Sequence, residues 1–319
     1  MRSGLTLAAG MLAGLWMDTM RRTANAESAH PPLGSFVDAG GVCLHVLERG
    51  RGTPVVLVHG AGLLSDDMAL ALLDRAGAAW HTIAVDRPGH GYSDRPRGAA
   101  SPRAQARLLH DALVAMNVRK PVIVGHSLGG AVALAYALEF PYETGGLVFL
   151  GGYAYPTPRP DFALFAAPAV PGVGQVLSRT VLQPVDRLML PGLIERIFAP
   201  NPVPDYYRLM PTELMLRPVQ IESSAADLAA LIPATTEMAP RYGGIRCPVA
   251  ILAGEEDRIV DPADHAVRLH HDIPGSTLHL LSSTGHMLHH VRPDAVIAAI
   301  ERIVRAAGID AVHEQEYGR

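Results

Sequence analysis

Ser127 lies in Gly125-His126-Ser127-Leu128-Gly129, between an apolar run, Pro121-Val122-Ile123-Val124, and a small-residue helical pattern, Gly129-Gly130-Ala131-Val132-Ala133-Leu134-Ala135. A Gly-x-Ser-x-Gly spacing between a strand and a helix is the spacing of a sharp turn that lifts a serine hydroxyl above a sheet. The flanking glycines leave room for the close backbone approach such a turn needs. The pentapeptide alone is a weak signal, and its strand-turn-helix setting gives it weight. A serine hydroxyl is a poor nucleophile at neutral pH. It needs a base within hydrogen-bond reach, and the base needs an acid to orient it.

Both occur further along the chain. His286, in Ser283-Thr284-Gly285-His286-Met287, directly follows the last expected strand, and Asp257, in Gly254-Glu255-Glu256-Asp257-Arg258-Ile259-Val260, directly follows the strand before it. Loops at the carboxyl ends of parallel strands converge on one edge of a sheet, so residues remote in sequence meet there. His286 competes with His289 and His290, which read as solvent-facing or helix-start residues. Asp257 competes with Glu255, Glu256 and Asp261, and Asp161 is another place from which an acid could come. Attack on a carbonyl develops a negative oxygen that two backbone N–H groups must face. Leu128, at the helix start, supplies one. Ala61 in His59-Gly60-Ala61-Gly62 is expected to supply the other, with Gly62 as the alternative and His59 holding the loop. In Asp86-Arg87-Pro88-Gly89-His90-Gly91-Tyr92-Ser93-Asp94, Asp86 and Arg87 are candidates for a buried ion pair or loop tether.

The elements that must position these residues are legible as a repeating pattern. Ser35 to Ala39 and Val42 to Glu48 read as a hairpin about Gly40-Gly41. Continuous apolar runs at residues 54–58, 82–85, 122–124, 147–150, 249–252 and 277–280 read as strands buried on both faces. Ser101-Pro102 opens a helix through about Met116, Asp261-Pro262 repeats the device, and Pro293 opens a last helix stopped by Gly308. Strands alternating with helices define an α/β fold with a mostly parallel, doubly wound sheet. The rhythm breaks over residues 153–241, which are rich in proline and carry short amphipathic stretches such as Val185 to Phe198. This segment is expected to be an inserted helical cap with an apolar interior, dividing the core into residues 35–152 and 242–319.

The 319 residues are 49% apolar and 18% charged, enough for a substantial core, and the net charge of −4 gives no sign of a nucleic-acid partner. No histidine or cysteine spacing suggests a metal, and no cofactor is implied. Cys43 and Cys247 are too few and too scattered for a disulfide framework and are expected to be buried free thiols. Residues 1–34 read as a targeting segment plus linker. The apolar run from Leu5 to Met17 is short for a spanning helix and suits a signal peptide with Ala24-Asn25-Ala26 as cleavage site; an uncleaved membrane anchor and an ordinary amphipathic helix are the alternatives. The corresponding expectation is an exported or membrane-anchored protein that associates with a membrane through this segment.

The order and spacing of His59-Gly60, Asp86 to Ser93, Gly125 to Gly129 and the Asp257/His286 pair resemble the α/β-hydrolase superfamily over roughly Ser35 to Ala307, in the branch with His-Gly loops and helical caps. The resemblance implies Ser127 as nucleophile, His286 as base, Asp257 as acid and a cap that shapes the substrate pocket. Serine at position 127 argues against the relatives that place aspartate there. Gly129-Gly130 looks most like esterases and lipases, and the expected activity is hydrolysis of small apolar carboxylic esters through an acyl-enzyme. Carbon–carbon bond hydrolases and lactonases share the serine. For the former, Arg179, Arg187 or Arg196 could hold a substrate carboxylate. A non-catalytic ligand receptor on this fold is the alternative from another class.

Overall fold

The computed structural model describes residues 2–157, 167–170 and 172–308. Its sheet has eight strands: β1 (Ser35–Asp38), β2 (Cys43–Arg49), β3 (Pro54–Val58), β4 (His81–Val85), β5 (Val122–His126), β6 (Gly146–Leu150), β7 (Val249–Gly254) and β8 (Thr277–Leu281). They lie in the order β1-β2-β4-β3-β5-β6-β7-β8. The two pairings at the β1 edge are antiparallel and all the others are parallel. The apolar runs of β3, β5, β6 and β7 are buried along their whole length, as strands covered on both faces must be. β8 departs from that expectation. It is the outer strand, and Thr277 and Leu280 are exposed.

Alternate residues of the central strands feed two cores. Val56, Val58 and Ile123 pack with Leu109, Ala131 and Leu134 of the helices Pro102–Ala115 and Leu128–Glu139. Val55, Leu57 and Val124 pack with Met68 and Leu72 and with Val296 and Ile300 of the helix Pro293–Ala307. Capping follows the sequence signals. Ser101 Oγ accepts the Ala104 N–H at 3.2 Å, Asp261 Oδ1 accepts the Ala263 N–H at 2.8 Å, and Gly308 adopts the left-handed conformation that ends the last helix.

Between β6 and β7 the chain leaves the sheet for a helical insertion that includes Val173–Leu177, Gln183–Phe198, Thr212–Met215 and Pro218–Met238. Its apolar residues are only partly enclosed: Phe198, Leu214, Leu231 and Met238 are buried, whereas Leu188 is 84% exposed and Met189 57%. Asp161 lies outside the described residues. Both cysteines are free, and they are half-buried rather than enclosed.

The N-terminal segment corrects the sequence reading. It forms one helix, Arg2–Ala29, lying against the insertion. Thr19 and Ala26 are buried, Glu27 pairs with Arg217 at 2.9 Å, and the Arg179 guanidinium stands 5.7 Å from the ring centre of Trp16. Asp18 binds Arg21 and Arg22 on the same helix. The residues read as a signal peptide or membrane anchor are thus part of the folded body. Among the described residues, no helix is long and apolar enough to cross a membrane. The expectation of export or membrane anchoring does not stand.

Candidate active site

β5 ends at His126, and the helix Leu128–Glu139 begins one residue after Ser127. The serine carries the whole reversal, with φ 55° and ψ −119°. A side-chain-bearing residue held in this region costs about 1–3 kcal/mol and persists only where its surroundings impose it. The surroundings do so here. The Ser127 N–H binds the carbonyl of Leu150 at 3.0 Å, and its own carbonyl accepts from Gly130 and Tyr153. The glycines of the turn sit where a side chain cannot. A Cβ on Gly125 would stand 2.3 Å from the Gly129 carbonyl oxygen, and one on Gly129 would stand 2.3 Å from that of Val58.

Asp257 and His286 follow β7 and β8 and meet: His286 Nδ1 lies 2.7 Å from Asp257 Oδ2. The other carboxylate oxygen accepts the N–H groups of Ile259 and Val260 at 2.8 and 2.9 Å. With Nδ1–H donated to the carboxylate, Nε2 keeps a lone pair, which is the tautomer a base needs. This pair stands beside the turn. A Cβ on Gly151 would be 3.4 Å from Asp257 Oδ2 and 3.9 Å from His286 Nδ1, while one on Gly152 would be 2.8 Å from the Ser127 carbonyl oxygen. His126 Nε2 donates to the His286 carbonyl at 3.0 Å. Glu255 and Glu256 lie on the same turn, where Glu256 accepts the Thr284 N–H at 2.7 Å.

The loop after β3 passes over the serine. A Cβ on Gly60 would stand 3.0 Å from Ser127 Cβ and 3.5 Å from Oγ. Ala61 is half-buried on this loop, and Leu128, fully buried, is the first residue of its helix, where N–H groups have no intrahelical partner. His59 holds the loop as a neutral ring. Its Nε2 accepts the Arg87 N–H at 3.0 Å while Nδ1 donates to the Gly60 carbonyl at 2.9 Å. Burial, reinforced by the nearby Arg87 charge, drives its pKa down to about 3.

Asp86 and Arg87 do not pair with each other. Asp86 binds His45 Nδ1 at 2.7 Å and the Ser65 N–H at 2.7 Å. Arg87 reaches the insertion, with Nη1 2.6 Å from Asp227 Oδ2. His289 and His290 fall in the first turn of the short helix Leu288–Val291, one of the two places the sequence offers for them, and they do not face solvent. Both are buried, and their Nε2 atoms lie 2.9 and 3.0 Å from the two oxygens of Asp67, with the Tyr207 hydroxyl donating to the same carboxylate at 3.3 Å. Asp67, His289 and His290 also form a group with the donor types of a metal site. Here the contacts are those of a carboxylate taking hydrogen bonds from two imidazoles and a phenol, which satisfies a buried anion without a cation. Burial opposes the Asp67 charge, but the two imidazoles outweigh it and hold the carboxyl well below its usual range. Only the Ser65-Asp66-Asp67 helix start and the paired histidines hint at the cluster in the sequence.

The alpha/beta hydrolase fold family matches residues 53–293, and the chain belongs to it; it is a hydrolase of that fold. Similar proteins include the 2-hydroxy-6-oxo-6-phenylhexa-2,4-dienoate hydrolase of Burkholderia cepacia, 25% identical over 79% of this chain and 87% of that one. The 2-hydroxymuconate semialdehyde hydrolase of Pseudomonas putida is 26% identical over 91% of this chain and 99% of that one. Among solved structures, the enol-lactonase of Burkholderia xenovorans superposes with a TM-score of 0.69 at 20% identity, over 85% of this chain and all of that one (100%).

Proposed function

We propose that the protein is a serine hydrolase that cleaves small carboxylic esters of apolar substrates through an acyl-enzyme. The observation that carries the proposal is the 2.7 Å contact between His286 Nδ1 and Asp257, beside a serine held at positive φ by the turn. In this reading Ser127 Oγ attacks the ester carbonyl as His286 Nε2 takes its proton, and Asp257 stabilises the imidazolium. The N–H groups of Ala61 and Leu128 bind the oxyanion. The imidazolium then protonates the leaving alcohol, and a water deprotonated by the same ring hydrolyses the acyl-serine. The helical insertion acts as a cap over the acyl pocket.

A second reading is favoured by the relatives: cleavage of a carbon–carbon bond in a 2-hydroxy-6-oxo-dienoate acid, the substrate type in the name of the Burkholderia cepacia enzyme. Two of the three arginines suited to a substrate carboxylate are already matched to acids. Arg179 pairs with Glu222 at 2.5 Å and Arg187 with Glu213 at 2.5 Å. The third, Arg196, is exposed on its helix and has no acid partner among the described residues.

The test compares p-nitrophenyl esters of two to ten carbons, simple lactones and a 2-hydroxy-6-oxo-dienoate acid on the full chain. Ester turnover that peaks at medium chain length, and falls by at least about 10³-fold in Ser127→Ala and Asp257→Asn, is the expected result. Faster turnover of the dienoate acid would transfer the assignment to the second reading. Undiminished turnover by Ser127→Ala would end both.

A further inference from the structure

Arg87 is 2% exposed and takes no part in the steps above. Its guanidinium is nonetheless matched at every edge. Nε donates to the His59 carbonyl at 3.0 Å, Nη2 to the Gly60 carbonyl at 2.9 Å, and Nη1 to Gln105 Oε1 at 2.9 Å and Asp227 Oδ2 at 2.6 Å. The Gly60 carbonyl thus accepts from two directions, since His59 Nδ1 also reaches it at 2.9 Å.

A trans peptide unit is planar, so the Gly60 oxygen and the Ala61 N–H point in opposite directions from one rigid plane. Two donors on the oxygen therefore fix where the N–H points, and they polarise the amide so that it donates more strongly. The strip held in this way is the one whose Gly60 lies against Ser127.

The charge that does the holding is itself balanced from elsewhere. A buried guanidinium needs a counter-charge, and Asp227, 0% exposed, provides it from the insertion helix Pro218–Met238. Arg95 Nη2 lies 2.8 Å from the other oxygen of that carboxylate. From the same helix, Gln220 Nε2 donates to the carbonyls of Gly62 and Leu63 at 3.3 and 3.0 Å. One insertion helix thus grips the loop directly at Gly62 and Leu63 and, through Arg87, at His59 and Gly60.

We infer that Arg87 is a positioning residue that aims the Ala61 N–H at the oxyanion, and that Asp227 makes this aim depend on the seating of the insertion helix. The inference rests on the serine acyl-enzyme reading. It is tested with Arg87→Lys and Asp227→Asn in the full chain by measuring kcat, KM, melting temperature, the Ki of a hexyl boronic acid (which mimics the tetrahedral intermediate) and the Kd of hexanoate, a ground-state product.

In Arg87→Lys, kcat should fall by roughly 10- to 100-fold, less than the full loss of an oxyanion donor, with KM within about twofold. Boronate affinity should fall in proportion to kcat/KM while hexanoate affinity stays the same. Asp227→Asn should fall on the same line with a smaller loss. Unchanged boronate affinity in a folded variant overturns the inference, as does a loss of boronate and hexanoate affinity together, which is what general loosening would give. If Arg87→Lys does not accumulate folded, Asp227→Asn, which keeps the guanidinium and removes its counter-charge, and Gln105→Leu, which removes one acceptor of Nη1, decide by the same criterion. Ser127→Ala run in parallel separates the two failures. An active Ser127→Ala sinks the serine reading, whereas an inactive one beside a fully active Arg87→Lys sinks this inference alone.

Discussion

His126 donates from Nε2 to the backbone carbonyl of His286 at 3.0 Å, with the two rings 4.8 Å apart. The residue before the serine therefore fixes the backbone of the imidazole that faces Asp257. Burial, with the neighbouring imidazoles of His289 and His286, keeps His126 well below the usual histidine pKa, so it donates as a neutral ring. His126→Phe should lower kcat about tenfold through misplacement of His286, with His126→Gln recovering part of the loss. Steady-state kinetics on the preferred ester would check this, and equal activity of all three proteins would refute it.

Gly60 and Gly129 make separable demands. A methyl on Gly129 meets the backbone oxygen of Val58 at 2.3 Å, which cannot move without breaking β3. A methyl on Gly60 meets the side chain of Ser127 at 3.0 Å. Gly129→Ala should lower the melting temperature sharply or abolish folding. Gly60→Ala should leave the melting temperature within a few degrees and reduce turnover at least tenfold. Calorimetry and kinetics on the same two samples distinguish the effects.

Asp67 joins the helix start after β3 to the His289-His290 pair. Asp67→Ala leaves two buried imidazole N–H groups without an acceptor, a cost of about 2–4 kcal/mol. Urea unfolding should show a lower midpoint with an unchanged slope. Adding zinc to the wild-type protein should not raise its melting temperature. A zinc-dependent rise would convert the cluster into a metal site.

Acid should destabilise the fold below pH 6.5. Burial holds His265 and His289 at pKa values of about 4 and His59 at about 3 in the folded chain. Unfolded, each titrates near 6.5, so between that pH and the folded values the unfolded chain binds more protons. The stabilisation is complete above pH 6.5 and declines as pH falls towards 4, at about 1.4 kcal/mol per pH unit for each proton. His45 opposes this trend: burial lowers its pKa, but the Asp86 hydrogen bond outweighs burial and raises it. Melting temperatures between pH 7.5 and 4 should fall steadily, and less steeply in His265→Gln. A flat profile would contradict neutral buried rings.

What the sequence revealed depended on the range of the causes. The β5 strand, the Ser127 turn and the following helix are neighbours in the chain, so local pattern specifies them. Asp257 and His286 could be found because each directly follows a strand, and strand order brings strand ends together. The link from Asp67 to His289 spans 222 residues, and the local signals at its two ends, a helix start and a histidine pair, do not say that they meet. The same holds for Arg87 and Asp227, 140 apart. The N-terminal helix was misread for a related reason: an apolar run beside charges suits a leader, a lipid surface or another helix equally well. Only the tertiary partner, here the insertion with Arg217 and Arg179, decides between them.

The clasp between Glu27 and Arg217 constrains how the molecule can be shortened. A version begun at Ser35 would retain Ser127, Asp257 and His286, yet it would strip from Arg217 its carboxylate partner together with the helix that carries it. Trimming the amino end therefore leaves a cation held by the carbonyls of Gly91 and Leu214 and the ring of Tyr92, with no acid opposite it among the described residues.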